Sequence, residues 1–531
     1  MPETLSQLDR SERMRRVKGA GTGPELALAS AIRRRGRRPR LNVAELPGKP
    51  DLVFTRERVA VFVDGELWHG AQWRRRGLNS LADQFAGSKD PEYWNRKITG
   101  NIARDLRATR RLVESGWQVF RLWEADVDAD PERCADRVLE VLEGDGPASP
   151  FPGLARTSTI DFFSGIGLMR MGLERSGWNT LWANDHDPMK RRLFLHNLDG
   201  ERVELDDRSV HDISANDTPD AAIAAACFPC TDLSLAGKGR GFEGRHSSAY
   251  LGFADILDNL GDRRPPFVIL ENVVGLLHSN AGRDFRVCAE RFVQAGYAID
   301  ALTLDAKSFV PQSRPRMLIL GVRDDIDIGP WVDATHAEPS EVRSQALVNA
   351  IRDNADLPWR TRPMPPLPRR TLTLTDILDD LGPDAADWWS TDRVARLRAQ
   401  VSDRHLAMVE SLAKEHDVVR ATAFRRMRKG RSTAELRFDG VAGCLRTPKG
   451  GSAKQMLVEV EDGEWRVRLL TPSECARLMG SDGFRLDAEG VSRDDLLFGF
   501  GDAVCVPVVE WMVSNYINPL AAELLRGVVL R

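Results

Sequence analysis

Hydrophobic and polar positions alternate along this chain with two periods, one helical and one extended, and the two keep replacing each other. Thr22-Gly23-Pro24-Glu25 opens a helix as a capping box, and Gly36 closes it. Leu52–Phe54 and Val59–Val63 are two short apolar runs with a tight connection, a hairpin pattern. From Ile98 to Gly116 the period becomes helical, with Ile102, Leu106 and Val113 inward, and Trp117–Trp123 returns to a strand. Further on, the strand Thr159–Phe163 runs through a Gly turn into a helix carrying Leu168, Met171 and Leu173. Strands follow at Thr180–Ala183, Phe267–Leu270 and Met317–Leu320. Strands alternating with helices predict an α/β protein.

The breaks in this pattern predict the domains. GDGPASPFPGLARTS at 144–158 has linker composition, and a Pro-rich stretch around LPWRTRPMPPLPRR favours extended chain. A basic cluster, Arg420, Arg425, Arg426, Arg428, Lys429, Arg431 and Arg437, lies between the apolar segments of the last third. The expected division is 1–145, a linker at 146–157, an α/β core at 158–325, an irregular insertion at 326–465 and a return to the core at 466–531. Gly450-Gly451-Ser452 marks the expected return loop.

Length and charge sharpen this division. The 531 residues suit two or three domains, and 29% charged with 42% hydrophobic residues is globular composition. The net charge of −3 hides an asymmetry: residues 1–125 hold 25 Lys and Arg against 15 Asp and Glu, whereas 126–150 hold 2 against 8. A basic first region suggests a polyanionic partner. Seven scattered cysteines exclude a disulfide framework and point to a reducing compartment. No apolar run approaches a membrane span, and the N-terminus has no secretory h-region. Neither a membrane association nor an obligate protein partner is expected.

In the first domain, a hairpin turn centred on Glu57-Arg58 would set Asp51 opposite Asp64, where two carboxylates can hold a hard divalent ion. The same residues alone equally describe two solvated acids at strand ends. Glu25 equally suits a plain capping role, and His69 a packed neighbour of Trp68. The segments RSERMRRVKGAGTGPEL, LPGKPDLVF, VAVFVDGELWHG, EYWNRKITGNIARD and GWQVFRLWE, in this order, resemble the very-short-patch repair endonucleases, which share the restriction-endonuclease-like fold. The resemblance implies Mg²⁺ at Asp51, proton transfer assisted by His69, and site acids at Glu25 and Asp105. That family holds a structural zinc with Cys and His, but the corresponding places here are Glu66, Ala71, Trp73 and Ala125, so no zinc is expected.

The second domain begins with a strand, a Gly turn and a helix, a nucleotide-binding opening. Arg170 stands where the dinucleotide fingerprint needs its third Gly, and Asp185 follows the next strand, where an acid suits a ribose. An adenosine-like cofactor other than NAD is expected. In FPCTDLS, Cys227 and Cys230 admit three readings: a zinc half-site, a redox pair, or a lone nucleophile at Cys230. DFFSGIG, FPCTDLS, ENVVG, PQSRPR, LLTPSECARLMG and GDAVCVPVV look like the ordered motifs of the DNA (cytosine-5)-methyltransferases. The implied fold is a Rossmann-like S-adenosylmethionine-dependent domain with an inserted target-recognition region. The resemblance assigns Phe163, Gly165, Gly167, Asp185, Asp212, Ile213, Pro229 and Asp502 to the cofactor. Leu168 and Asp502 depart from the usual Gly and Asn of their motifs.

The implied chemistry explains the residue types. A Cys230 thiolate adds to cytosine carbon 6 and makes carbon 5 nucleophilic. Glu271 donates to ring nitrogen 3, while Arg314 and Arg316 hold the base carbonyl and a phosphate. The target base leaves the duplex to react. The other cysteines, Cys227, Cys288, Cys444, Cys475 and Cys505, are expected as buried apolar filler. The basic cluster is expected to face the DNA groove. Three functions follow for double-stranded DNA as partner: methylation with nicking of T·G mismatches, single-chain restriction and modification, or methylation with an inactive N-terminal clamp. A dinucleotide oxidoreductase is disfavoured by Arg170. The expected setting is prokaryotic cytoplasm, at the nucleoid.

Overall fold

A computed structural model describes residues 21–144, 151–198, 203–229, 248–327, 329–428, 430–447 and 454–526. Cys230, Lys429, Gly450-Gly451-Ser452, the Arg428 side chain and the first part of the linker lie outside what it describes. The chain forms two compact units, one of Met1–Ser158 with Ser514–Arg531, the other of Thr159–Val513. The final stretch, expected to return whole to the α/β core, therefore divides at Val513.

In the first unit, α1 (Gly23–Arg34), β1 (Arg40–Leu41), β2 (Leu52–Phe54), β3 (Val59–Asp64), α2 (Pro91–Glu114), β4 (Gln118–Trp123), α3 (Glu124–Ala129) and α4 (Pro131–Glu143) follow in order. The sheet runs β1-β2-β3-β4, with β3 and β4 parallel. Leu28 and Ile32 of α1 and Val138 of α4 bury the sheet face formed by Leu52, Val61 and Phe120. The hairpin register differs from expectation. Leu52 pairs with Val61 and Phe54 with Val59, because four residues, Thr55–Arg58, make the turn and Arg58 is left-handed. Side chains alternate with period two, so Asp51 and Asp64 still share a face, now diagonally. Helix α2 starts at Pro91, capped by the Asp90 carboxylate, which accepts from the Tyr93 N–H at 2.9 Å. Its buried stripe reaches Leu112, and Val113 is only half-buried. The C-terminal helix Asn518–Leu524 packs on α2 within this unit.

The second unit is built on a seven-stranded sheet ordered β10-β11-β9-β8-β5-β6-β7. The strands are β5 (Ser158–Phe162), β6 (Asn179–Asn184), β7 (Glu204–Asp206), β8 (Ile223–Ala226), β9 (Phe267–Val273), β10 (Tyr297–Asp305) and β11 (Pro315–Arg323). Strands β5, β8 and β9 are parallel, whereas β11 is antiparallel to β9 and β10. From β5 the order runs one way to β7 and the other way to β9, so a switch point lies between β5 and β8. A separate sheet, β13-β12-β14-β15, fills the insertion: β12 (Val418–Arg428), β13 (Arg431–Arg437), β14 (Met456–Glu461) and β15 (Glu464–Leu469). It closes on its own core of Val394, Leu397, Val419, Leu436 and Val458. Among the described residues, one stretch, Arg493–Leu524, is long and apolar enough to cross a membrane by length and composition; 61% of its apolar window is buried in the fold.

Candidate active sites

The first unit gathers its acids around β3. Asp51 Oδ2 accepts from the Val63 N–H at 2.8 Å. Burial, with repulsion from Glu25 and Asp64, pushes the Asp51 carboxyl up to about 7, against the Val63 bond and the Arg121 charge. Glu25 is buried and accepts from the Gly21 N–H at 2.7 Å and the Thr22 hydroxyl at 2.9 Å. Thr22 therefore donates to Glu25 instead of capping the helix, and Glu25 accepts from the Gly21 N–H instead of the Thr22 N–H, so the expected capping box does not form.

Asp64 has a different fate. The Arg121 guanidinium grips it through Nε at 2.7 Å and Nη2 at 2.9 Å, and Arg526 Nε lies 3.1 Å from Oδ2. Burial opposes its charge, yet Arg121, His69 and Arg526 together hold its carboxyl well below the usual range. Both oxygens are taken by guanidinium groups, so Asp64 does not fit the expected role of metal ligand. His69 Nδ1 is 2.5 Å from Asp105 Oδ2 and 3.5 Å from Asp64 Oδ1. Gly70 is required beside it: its φ is +81°, and a Cβ there would lie 2.5 Å from Ile102 Cδ1 on α2. Arg121 drew no attention in the sequence, although an Arg inside the apolar run of β4 was the available signal.

The loop where the resembling family places zinc is held by other means. Glu66 Oε1 accepts from the Ala125 N–H at 3.0 Å, and Arg75 pairs with Glu66 at 3.4 Å and Asp126 at 2.8 Å. Trp73 is fully buried and donates to the Gly70 carbonyl at 3.0 Å. This donor set does not fit zinc, which takes Cys and His in structural sites. Beside it, Trp68, Tyr93 and Trp94 surround the Lys97 ammonium at 5.3–5.6 Å from their ring centres.

In the second unit, the switch point brings the predicted motifs together. Phe163 and Gly165 take positive φ, and a Cβ on Gly165 would meet nothing within 4 Å, so the turn after β5 opens on free space. Asp185 Oδ2 accepts from the Gly165 N–H and Oδ1 from the Asp187 N–H, each at 2.9 Å. Asp161, which the sequence reading gave no role, is fully buried with both carboxylate oxygens unpartnered; burial and the Asp185 charge hold its carboxyl well above the usual range. Ile213 is buried and Asp212 exposed in the turn after β7. Asp502 pairs with Lys190 at 2.7 Å. Arg170, in the place of the fingerprint's third Gly, bonds Glu174 at 2.6 Å and the Asn197 carbonyl at 2.8 Å.

Glu271 lies near the end of β9. The β9–β11 register pairs Arg316 with Val273, two positions from Glu271 on the same face, and Arg316 Nε stands 2.9 Å from Glu271 Oε1. Burial raises the Glu271 carboxyl despite Arg316 and Arg314. Asn272 Nδ2 donates to the Phe228 carbonyl at 3.1 Å, tying the loop that leads to Pro229 against this strand. Cys227 hydrogen-bonds Glu271, and burial with that negative neighbour pushes its thiol well up. Cys227 thus faces Glu271, and it is half-buried instead of the buried apolar filler expected. Cys444 departs from that expectation too: burial opposes its ionisation, but Arg314, Arg316 and Arg446 outweigh it, and Arg314 Nη1 is 3.3 Å from its sulfur. Cys288, Cys475 and Cys505 are buried as expected. Arg314 departs from its expected contact with base or phosphate. It is 1% exposed, and its two terminal nitrogens donate to the carbonyls of Leu445 (2.7 Å), Gly501 (2.9 Å) and Ala503, while its buried Nε has no hydrogen-bond partner among the described residues.

The basic cluster of the insertion is partly neutralised. Arg420 pairs with Glu459, Arg426 with Glu435 and Arg437 with Asp439. Arg425 and Arg393 instead lie over the Trp389 ring, at 6.0 and 3.8 Å from its centre. Burial and the like charges of Arg425 and Arg396 lower the Arg393 guanidinium.

Residues 157–518 match the C-5 cytosine-specific DNA methylase family. The chain belongs to that family. Residues 3–75 match the DNA mismatch endonuclease Vsr family. The Type II nicking enzyme V.NmeDIP of Neisseria meningitidis serogroup C is 40% identical over 149 residues, 28% of this chain and 96% of that protein. The Type II methyltransferase M.NgoBI of Neisseria gonorrhoeae is 37% identical over 169 residues, which span 32% of this chain and 51% of that protein. Among solved structures, the Entamoeba histolytica methyltransferase EhMeth aligns with 69% of this chain and 98% of its own, at 15% identity and TM-score 0.47. The chain thus joins a C-5 cytosine methyltransferase domain to a Vsr-like nicking endonuclease domain, and DNA is its substrate.

Proposed function

We propose that this methyltransferase transfers a methyl group from S-adenosylmethionine to carbon 5 of cytosine in one DNA sequence. We propose further that its Vsr-like domain nicks the T·G mismatches left when 5-methylcytosine deaminates. The observation that supports the first activity is the meeting of the β5 turn, the Phe228–Pro229 loop and the Glu271–Arg316 pair at one switch point of the sheet. The residues fit an adenosine cofactor: the turn opens on space at Gly165, with Phe163 and Asp185 beside it and Ile213 in the next loop. When bound, S-adenosylmethionine supplies an electrophilic methyl group. Cys230 adds its thiolate to cytosine carbon 6. Glu271, whose carboxyl burial raises, donates to ring nitrogen 3 and stabilises the charge that develops there. Arg316 orients Glu271, and Arg314 fixes the chain around Leu445 and Ala503 that frames the site. Carbon 5 takes the methyl group, loses its proton, and the thiol leaves.

For nicking, Asp51 is the carboxylate suited to Mg²⁺. No group of three or more His, Cys, Asp or Glu side chains that could hold a metal gathers among the described residues, so the ion proposed here would be held by Asp51 with waters and substrate phosphate. The ion, when bound, stabilises charge on the phosphate; His69, oriented by Asp105, moves a proton at the attacking or leaving oxygen. Trp389 with Arg393 and Arg425 suits a phosphate contact of the target-recognition region. The cytoplasm of a prokaryote, at the nucleoid, is the setting that suits both activities. Bisulfite sequencing of DNA treated with the protein and S-adenosylmethionine tests the first activity and reads the site; absence of protected cytosines refutes it. Incubating T·G-mismatched and matched duplexes with Mg²⁺ tests the second, which fails if the mismatched strand is not cut preferentially.

A further inference from the structure

We propose that Arg526 is a positioning residue of the nuclease site, so that the chain's C-terminal segment completes a site otherwise built from residues 21–144. The proposal rests on the nuclease reading above. Arg526 follows the C-terminal helix Asn518–Leu524 and belongs to the first unit, although the whole methyltransferase domain separates it from α4. It lies outside both family matches, which end at 75 and 518.

The segment is anchored where the nuclease site is built. Asn95 Nδ2 on α2 donates to Asn515 Oδ1 at 2.7 Å, and Arg74 stands 3.9 Å from Glu523. The Arg526 side chain is 6% exposed. Its guanidinium lies over the Trp123 ring, 4.4 Å from the centre, and its Nε is 3.1 Å from Asp64 Oδ2. Asp64 is the residue through which it reaches the chemistry, because Asp64 and Asp105 flank His69.

The charges explain why a second arginine is needed. Arg121 already forks Asp64, but the same pocket holds Asp105 at 4.0 Å from Arg121, with Asp51 and Glu25 close enough to repel. One guanidinium against these acids leaves Asp64 and Asp105 competing for it and for His69. Arg526 adds a cation to Asp64, leaving Asp105 as the close partner of His69 at 2.5 Å. Its acidic neighbours are Asp64, Asp105 and Glu523, and the facing cation is Arg121. Burying an arginine is unfavourable unless it is paired, and Asp64 supplies that pairing.

The test uses the full chain with T·G-mismatched duplex and Mg²⁺. Arg526→Met should lower kcat for nicking about tenfold or more and leave KM for duplex unchanged, while Arg526→Lys restores most of the loss. In an Asp64→Asn background, Arg526→Met should cost less than about twofold, because residues acting through one another are not additive. Nicking by Arg526→Met at the parent rate overturns the proposal, as does a full additive loss in the Asp64→Asn background. Should Arg526→Met fail to fold, the lysine variant decides: near-parent kcat supports the proposal, and loss with lowered melting assigns a purely structural role and overturns it. Failure of the parent chain to nick the mismatched duplex overturns the nuclease reading itself, and nicking that survives Asp51→Ala overturns the site assignment, and this proposal with it. Nicking lost in Asp51→Ala but kept in Arg526→Met overturns the proposal alone.

Discussion

Both active regions set a buried carboxyl against an arginine, with opposite results. In the methyltransferase crevice, Glu271 meets Arg316 through one close contact and the Cys227 thiol as a second partner, and burial raises its carboxyl. In the nuclease unit, Asp64 is just as buried, but Arg121 forks both its oxygens, with Arg526 and His69 adding charge, and its carboxyl is pulled far down. An arginine nearby therefore does not decide the protonation state. The number and geometry of cationic contacts weighed against desolvation decide it. The two directions suit the proposed tasks: a raised carboxyl favours donation to a base, whereas a lowered one favours anchoring two arginines.

The comparison can be broken at its strongest points first. Asp51→Ala should abolish nicking and leave methylation intact, measured on the same preparation; residual cutting would remove Asp51 from the site. Glu271→Ala should lower methylation kcat by about 10²–10³-fold, the range for losing one transition-state donor, with nicking unchanged. A much smaller loss would mean that Glu271 does not donate. Asp64→Asn leaves two buried arginines with a neutral partner and should destabilise the first unit by roughly 3–5 kcal/mol in denaturant unfolding. A change below about 1 kcal/mol would show that the pairing contributes little net stability.

Proton linkage gives a finer test. Asp51 sits at about 7 in the folded chain against 3.8 ordinarily, so between these values the folded state keeps a proton that the unfolded state has lost. Stability should thus fall as pH rises through that window, and Asp51→Asn should flatten the slope. The Mg²⁺ concentration for half-maximal nicking should rise about tenfold per pH unit below 7 and level off above it, because the ion needs the carboxylate. The smallest effect is expected in the insertion, where Arg393→Ala should reduce the salt slope of DNA binding by about one and leave kcat unchanged.

Much of the fold was legible from short-range pattern. The hairpin strands, the β5–turn–α/β opening and the division into two domains follow from periodicity and turn residues, which act over a few positions. The site was legible only in part. Asp51, His69, Glu271 and Asp185 stand in recognisable local settings, at strand ends or beside a Gly. Arg121 and Asp161 do not, since an ionisable residue inside an apolar strand gains meaning only from what faces it. The same holds for the misjudged residues. Arg314 was expected at the substrate and instead ties down Leu445, Gly501 and Ala503. Cys227 and Cys444 were expected as filler and instead face Glu271 and the arginines.

By itself, the sequence determined two α/β domains, the order of their chemistry-bearing motifs and the residue types each reaction needs, because periodicity, turns and local spacing are properties of neighbouring residues. Only the tertiary structure decided which carboxyls burial raises and which are locked by guanidinium groups. It also placed Arg526, near the far end of the chain, beside Asp64 in the first unit. Burial and pairing are sums over neighbours in space, and no spacing along the chain records them.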